Sequence, residues 1–103
     1  MESLELKIPA GQPIKDAQVQ MGVVASGDME VLYDGVSDKR DLTVKITSSV
    51  DNSAARWSAI FERLSVMQGL PAGIMVIHDF GATPGVARIR IEQAIEAAKE
   101  QEA

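Results

Sequence analysis

Hydrophobic and polar residues alternate with a period of two along the first half of the chain. The segment SLELKI at residues 3–8 has this pattern, and LTVKITS at residues 42–48 repeats it. Between them, apolar runs at residues 18–25 and 29–33 flank a short polar stretch. A period of two places alternate side chains on one face of a strand, so strands are predicted at residues 3–8 and 42–48, and the two apolar, β-branched runs predict two more. A glycine in the polar stretch favours a hairpin between the second and third strands, and the fourth is expected to continue the same meander.

The period changes to that of a helix after residue 53. Apolar residues then recur at intervals of three or four: Ala54, Trp57, Phe61, Leu64 and Met67. Asn52 or Ser53 is suited to cap this helix, because its side chain accepts a hydrogen bond from a backbone N–H of the first turn. Gly69 and Pro71 are expected to end the helix.

A further strand and a second helix are predicted in the last third of the chain. The run GIMVIH at residues 73–78 has the length and composition of a buried strand. Thr83 is suited to cap the following helix, and Pro84 to occupy its first position. One face of that helix is apolar: Ala87, Ile91, Ala94, Ile95 and Ala98. The last residues, 99–103, are expected to fray.

The element order β-β-β-β-α-β-α predicts an α+β fold. Because the strands come mostly in a run, the sheet is expected to be mainly antiparallel, with the two helices on one face. A length of 103 residues suits one domain over residues 1–103.

Composition narrows the classes of function. The net charge of -5 argues against binding to nucleic acid and to anionic membranes. No apolar stretch approaches the roughly 20 residues of a membrane span, and the first residues lack the pattern of a signal peptide, so a cytoplasmic protein is expected. The chain has no cysteine, so any thiol that it uses must belong to an attached group.

Ser26, Gly27 and Asp28 form the polar stretch between the second and third strands. Such residues recur in turns for conformational reasons alone. Alternatively, Ser26 is a modification site, since a hairpin tip beside a glycine exposes its hydroxyl and Asp28 would keep the tip solvated. No neighbouring residue supplies a base, so a self-activated serine nucleophile is not predicted.

The other candidate groups give weaker signals. His78, the only histidine, precedes Asp79 in a strand, where the two side chains would point to opposite faces and could not orient each other. The aspartates lack the spacing of a calcium loop, and no metal site is predicted. GATPG at residues 81–85 lacks the ending of a phosphate-binding loop. Four arginines fall on the helices and suit either a solvated surface or a phosphate-rich or acidic partner: Arg56, Arg63, Arg88 and Arg90. Arg88 and Glu92 form a favourable i,i+4 pair.

Three motifs in order along the chain resemble the acyl carrier (delta) subunit family of malonate decarboxylase. They are VVASGDMEVL, TSSVDNSAARWSAIFERL and IHDFGATPGVARIRIEQAIEAA. His78 departs from the family pattern, in which asparagine is expected. The SGD element is also similar to the acyl carrier subunit of citrate lyase, whereas DFGATPGV favours malonate decarboxylase.

The resemblance implies that Ser26 carries 2'-(5''-phosphoribosyl)-3'-dephospho-CoA through a phosphodiester bond, with Gly27 and Asp28 as the supporting turn. It implies a non-catalytic carrier of acetyl and malonyl thioesters, with no catalytic residue of its own. The implied partners are a prosthetic-group transferase, a malonyl transferase, and the transferase and decarboxylase subunits of malonate decarboxylase. Ordinary fatty-acid carriers are four-helix bundles with an Asp-Ser-Leu motif, which this chain lacks. A citrate-lyase-type carrier and an unmodified interaction or assembly module remain alternatives.

Overall fold

The computed structural model describes residues 2–25, 27–36 and 40–102. These residues form strands and helices in the predicted order: β1 (Glu2–Pro9), β2 (Gln18–Gly22), β3 (Met29–Asp34), β4 (Asp41–Ser48), α1 (Ala54–Met67), β5 (Gly73–Asp79) and α2 (Pro84–Glu102). The strands make one sheet in the order β1-β4-β5-β3-β2, and both helices contribute to the core on one face of it. The predicted α+β class is confirmed, and the chain is not a helical bundle. Within the described part of the chain, neither helix combines the length and the apolar character that crossing a membrane requires.

The predicted hairpin between β2 and β3 is present, but the predicted meander is wrong in its next step. β4 pairs with β1 and β5, and β5 lies between β4 and β3. The β4–β5 pair is parallel and the other pairs are antiparallel. A parallel pair needs a crossover connection, and α1 supplies it. β5 suits the central position because Ile74 and Val76 on the face away from the helices are also partly buried.

Alternate strand residues and one stripe of each helix form the core. In α1, Trp57, Phe61 and Leu64 are buried, whereas Ala54 and Met67, at the two ends of the predicted apolar face, are exposed. The predicted face of α2 is buried throughout: Ala87, Ile91, Ala94, Ile95 and Ala98. Burial of each large apolar side chain contributes about 1.5–3 kcal/mol to the free energy of unfolding, so this contact fixes both helices on the sheet.

β2 is shorter than the apolar run at residues 18–25 predicts. The strand ends at Gly22, whose φ of +84° turns the chain out of the sheet. Val23 and Val24 follow outside the strand with 56 % and 60 % of their surfaces exposed. The prediction extends the strand past Gly22 because valine, a β-branched residue, favours strands. In the structure, Val23 and Val24 have no strand to pack in.

Side-chain hydrogen bonds are present at both ends of α2. Thr83 caps the helix as predicted, because its Oγ1 accepts the N–H of Val86 at 3.2 Å. Pro84 is the first helical residue, also as predicted. At the other end the helix extends to Glu102, and fraying of residues 99–103 stays a prediction. Gln101 bonds both backbone groups of Gln18 in β2, accepting its N–H at 3.1 Å and donating to its carbonyl at 3.0 Å.

The two residues that precede α1 are held by a residue far away in the sequence. Ser53 is the N-cap residue, but its hydroxyl makes no bond to the helix and donates instead to Glu2 at 2.9 Å. The Glu2 carboxylate also accepts the N–H groups of Asn52 at 2.9 Å and Ser53 at 3.0 Å. Hydrogen bonds from the backbone of Ser53 and then of Asn52 hold the pKa of Glu2 below its ordinary value. The predicted side-chain cap is therefore replaced by the first described residue of β1.

Candidate functional site

Three chain segments meet at one edge of the sheet. β4 and β5 are parallel, so both end at this edge, where Ser48 lies beside Asp79. β3 runs the other way and begins there, with Met29 opposite Asp79. The turn between β2 and β3 and the loops that lead into both helices therefore lie side by side. These are the segments that carry the three motifs of the resemblance.

The turn containing the candidate serine is held on its C-terminal side by the end of β5. Ser26 itself lies outside the described residues. Gly27 is exposed, has a φ of +78°, and donates its N–H to the Phe80 carbonyl at 2.7 Å. The Phe80 N–H bonds the Asp28 carbonyl at 2.9 Å, and the Asp28 N–H bonds the Ala25 carbonyl at 3.0 Å. A Cβ added to Gly27 would meet nothing within 4 Å, so the space beside this residue is open.

Asp28 points inward to α2 and does not keep the turn solvated, so that expectation is wrong. Its side chain is 18 % exposed and accepts two hydrogen bonds from Arg90, at 3.0 Å from Nε and 2.8 Å from Nη2. The carboxylate also accepts the N–H of Met29 at 2.7 Å. The Arg90 guanidinium, and then the Met29 amide, lower the pKa of Asp28. Asp28 raises the pKa of Arg90 in return, so the ion pair persists at every physiological pH.

Gly22 makes room for the contact between α2 and the hairpin. A Cβ at this position would overlap the backbone carbonyl oxygen of Met29 and would lie 3.4 Å from Cδ of Arg90. The missing side chain lets the Arg90 stem pass close to the end of β2 on its way to Asp28. Gly22 also has a positive φ, which side-chain-bearing residues adopt at a cost.

Asp79 joins the two loops at the same edge. Its side chain is fully buried, and one carboxylate oxygen accepts the N–H groups of Gly81 at 3.1 Å and Ala82 at 2.9 Å. The other oxygen accepts the hydroxyl of Ser48 at 2.9 Å and Nη2 of Arg56 at 3.2 Å. A buried carboxylate is tolerated when it is paired and hydrogen-bonded, and here it ties the loop after β5 to the end of β4 and to α1.

His78 lies on the opposite face of β5 from Asp79, as predicted. Its Nδ1 is 3.0 Å from one oxygen of Glu30, and Gln20 donates to the other oxygen at 2.6 Å. The His78 side chain is 39 % exposed and that of Glu30 is 15 % exposed. Residues from β2, β3 and β5 thus form one polar row across the open face of the sheet. In the described part of the chain, no three histidine or acidic side chains are grouped so as to hold a metal ion.

The four helix arginines divide into different surroundings. Arg56 and Arg90 contact aspartates at the edge described above, Arg88 pairs with Glu92 at 3.5 Å as predicted, and Arg63 is exposed. The sequence gives no signal for the Asp28–Arg90 pair, whose members are 62 positions apart. The only indirect signal is that both residues fall within motifs of the resemblance.

Comparisons with known proteins identify relatives over nearly the whole chain. The family described as malonate decarboxylase delta subunit (MdcD) matches residues 16–98. The malonate decarboxylase acyl carrier protein of Klebsiella pneumoniae is 57 % identical, over 95 % of this chain and 97 % of the relative. The protein of the same name from Azotobacter vinelandii is 48 % identical, over 93 % and 95 %.

A solved structure agrees with the sequence relatives. A chain in the crystal structure of a Pseudomonas malonate decarboxylase hetero-tetramer in complex with malonate is 46 % identical and superimposes with a TM-score of 0.86. The match covers 95 % of this chain and 99 % of that one. The resemblance drawn from the sequence motifs is confirmed. The chain belongs to the malonate decarboxylase delta subunit family, the family of acyl carrier proteins whose fold it shares.

Proposed function

We propose that this chain is a single carrier domain that holds acetyl and malonyl groups for malonate decarboxylase, with Ser26 as its attachment residue. The observation that carries the proposal is the meeting of the three motif segments around the turn at residues 25–28. The relatives that carry the name malonate decarboxylase acyl carrier protein favour this complex over a citrate-lyase-type complex.

The surroundings of the turn fit an attached 2'-(5''-phosphoribosyl)-3'-dephospho-CoA. Ala25 and Gly27, on either side of Ser26, are exposed, and the space beside Gly27 is open. A long group attached between them has no side chain to displace at Gly27. When bound, the group supplies the thiol that the cysteine-free chain lacks, and acyl groups are held on it as thioesters. Gly27 and Asp28 hold the turn against β5 and α2 while the attached end moves.

The same geometry supports a role as carrier and not as catalyst. A turn at the edge of the fold can enter the sites of several enzymes, and tethering raises the effective concentration of an acyl group at each of them. The proposed partners are the prosthetic-group transferase, the malonyl transferase, and the transferase and decarboxylase subunits of the complex. With a net charge of -5, the chain suits partner surfaces that carry basic residues, and the cytoplasm is the proposed location.

Intact mass tests the attachment. The chain is produced with its modifying enzymes, alongside Ser26→Ala and the matched variant Ser49→Ala, which alters an exposed serine at the same edge. We expect one phosphoribosyl-dephospho-CoA added to the wild-type chain and to Ser49→Ala, and none to Ser26→Ala. A bare wild-type chain, when the modifying enzymes are shown to be active on another carrier of this family, would favour the unmodified interaction module instead.

A further inference from the structure

The two sides of the turn at residues 25–28 are held very differently. On the C-terminal side, Gly27 and Asp28 bond the backbone of Phe80, and the Asp28 carboxylate bonds Arg90. On the N-terminal side, Val23 and Val24 are exposed, the Ala25 N–H bonds the Val23 carbonyl at 3.1 Å, and the Ala25 carbonyl accepts the Asp28 N–H at 3.0 Å. In the sequence, the attachment residue of the proposed function therefore follows three exposed residues and precedes two residues that bond Phe80 and α2.

We propose that Arg90 is a positioning residue for the modification of Ser26. By fixing Asp28 to α2, it sets the direction in which the turn leaves the sheet and presents the serine to the transferase that attaches the prosthetic group. This inference rests on the proposed function, in which Ser26 is the attachment residue. It assigns to Arg90 a task that the other helix arginines do not share.

The geometry of Arg90 suits positioning because its contacts fix an orientation as well as a charge. Two of its nitrogens bond the two different oxygens of Asp28, and Nη1 donates to Gln93 at 3.1 Å on its own helix. Its stem passes close to Gly22, where an added Cβ would lie 3.4 Å from Cδ of Arg90. Lysine keeps the charge but cannot form this two-pronged contact.

Arg88 provides a matched comparison on the same helix. It pairs with Glu92 one turn away at 3.5 Å, with both side chains about 40 % exposed. Such a pair links two positions of one helix and contributes little to stability. The Asp28–Arg90 pair instead links α2 to the turn across 62 positions of sequence. Loss of the Asp28–Arg90 pair should therefore release the turn, whereas loss of the Arg88–Glu92 pair should not.

The effect on modification follows from the population of the presented conformation. If only a fraction of molecules hold the turn in the bound orientation, the apparent affinity of the transferase falls by that fraction. Once the carrier is bound, the enzyme fixes the turn itself, so the catalytic step is little changed. Loss of Arg90 should therefore raise KM for the carrier and leave kcat nearly constant.

The experiment compares Arg90→Lys and Asp28→Asn with Arg88→Lys. The purified transferase and its nucleotide donor modify each folded chain, and intact mass gives the rates. We expect Arg90→Lys and Asp28→Asn to raise KM for the carrier about tenfold, with kcat changed by less than about twofold. Arg88→Lys should match the wild type. An unchanged KM in both Arg90→Lys and Asp28→Asn overturns the inference.

Amide hydrogen exchange of the unmodified chains supplies a readout that needs no transferase. In Arg90→Lys, the N–H groups of Gly27 and Asp28 should exchange about tenfold faster than in the wild type, without a matching change in the core strands. A raised KM with unchanged exchange would mean that Arg90 contacts the transferase directly, and it overturns the positioning role. Faster exchange with an unchanged KM also overturns it, since the contact would then be structural only.

The two proposals fail in distinguishable ways. A wild-type chain that remains bare, or a Ser26→Ala chain that is still modified, removes the attachment at Ser26 and the inference with it. Modification confined to Ser26, together with wild-type kinetics in Arg90→Lys and Asp28→Asn, removes only the role of Arg90.

Discussion

Replacing Asp79 with asparagine should weaken the fold at the edge that carries the candidate site. The amide oxygen of Asp79→Asn can still accept the two backbone N–H groups of the loop after β5. The amide nitrogen then takes the place of the second carboxylate oxygen, which now accepts from Ser48 and Arg56. A nitrogen that bears two hydrogens accepts neither bond, and it faces the arginine as a second donor.

The size of the loss follows from the two bonds. A buried hydrogen bond to a charged group contributes about 1.5–3 kcal/mol, which applies to the Ser48 hydroxyl. The Arg56 side chain is 30 % exposed, so its contribution is that of a surface ion pair, about 0.2–1 kcal/mol. Asp79→Asn should therefore lower the free energy of unfolding by about 2–4 kcal/mol, or the midpoint of thermal unfolding by on the order of 10–30 °C.

Urea denaturation measured by tryptophan fluorescence suits this test, because Trp57 is the only tryptophan and is fully buried. The matched control is Asp51→Asn, which changes an exposed carboxyl group near the same edge and should lie within about 0.5 kcal/mol of the wild type. In the double variant Ser48→Ala/Asp79→Asn the losses should be less than additive, because the two residues share one bond. A loss for Asp79→Asn as small as that of Asp51→Asn would refute the reasoning.

Three further changes test other parts of the fold. Gly22→Ala should destabilise the chain more than Gly27→Ala in thermal unfolding. Both positions have a positive φ, which costs alanine about 1–2 kcal/mol. Only at Gly22 does the new Cβ also overlap a carbonyl oxygen, that of Met29. Equal losses would contradict this. Glu2→Gln should destabilise the chain at neutral pH, because a carboxyl group whose pKa is lower in the folded than in the unfolded chain stabilises the fold at any pH above its unfolded value. The difference from the wild type should shrink once the pH falls below the ordinary pKa of glutamate, and it should vanish only below the lowered pKa of the folded chain; a pH-independent difference in unfolding midpoint would show that the carboxylate charge is not what holds the residues before α1. Ile91→Ala should cost about 2–5 kcal/mol in urea denaturation, against a much smaller loss for the half-exposed Ile89→Ala, and similar losses for the two would mean that α2 does not pack as described.

Local patterns predict the elements of this fold well and their partners poorly. Alternation, short apolar runs and helical spacing together predict all seven elements, because they report which parts of a segment are buried. They do not report which strand lies beside which, so the sequence places β4 next to β3, where the structure has β5. That choice depends on the whole core, since β5 buries apolar residues on both faces.

The same limit applies to the candidate site. The hairpin glycine, the Thr83 cap and the opposite directions of His78 and Asp79 follow from local rules, and the structure agrees with them. Local rules do not predict that Asp28 pairs with Arg90, because an ion pair between a turn and a distant helix depends on the packing of that helix. An aspartate in a turn is solvated by default, and here tertiary structure overrides that default.

The central position of β5 has a consequence for synthesis on the ribosome. Until residue 79 has been made and has left the ribosome, the β2–β3 hairpin and the strands β1 and β4 have no strand to join them. Each then presents an unpaired edge, the feature through which partly made chains associate wrongly. The sheet closes late, when its fifth strand inserts between strands made earlier. A slow step in translation while β5 is still inside the ribosome would therefore prolong the exposure of these edges.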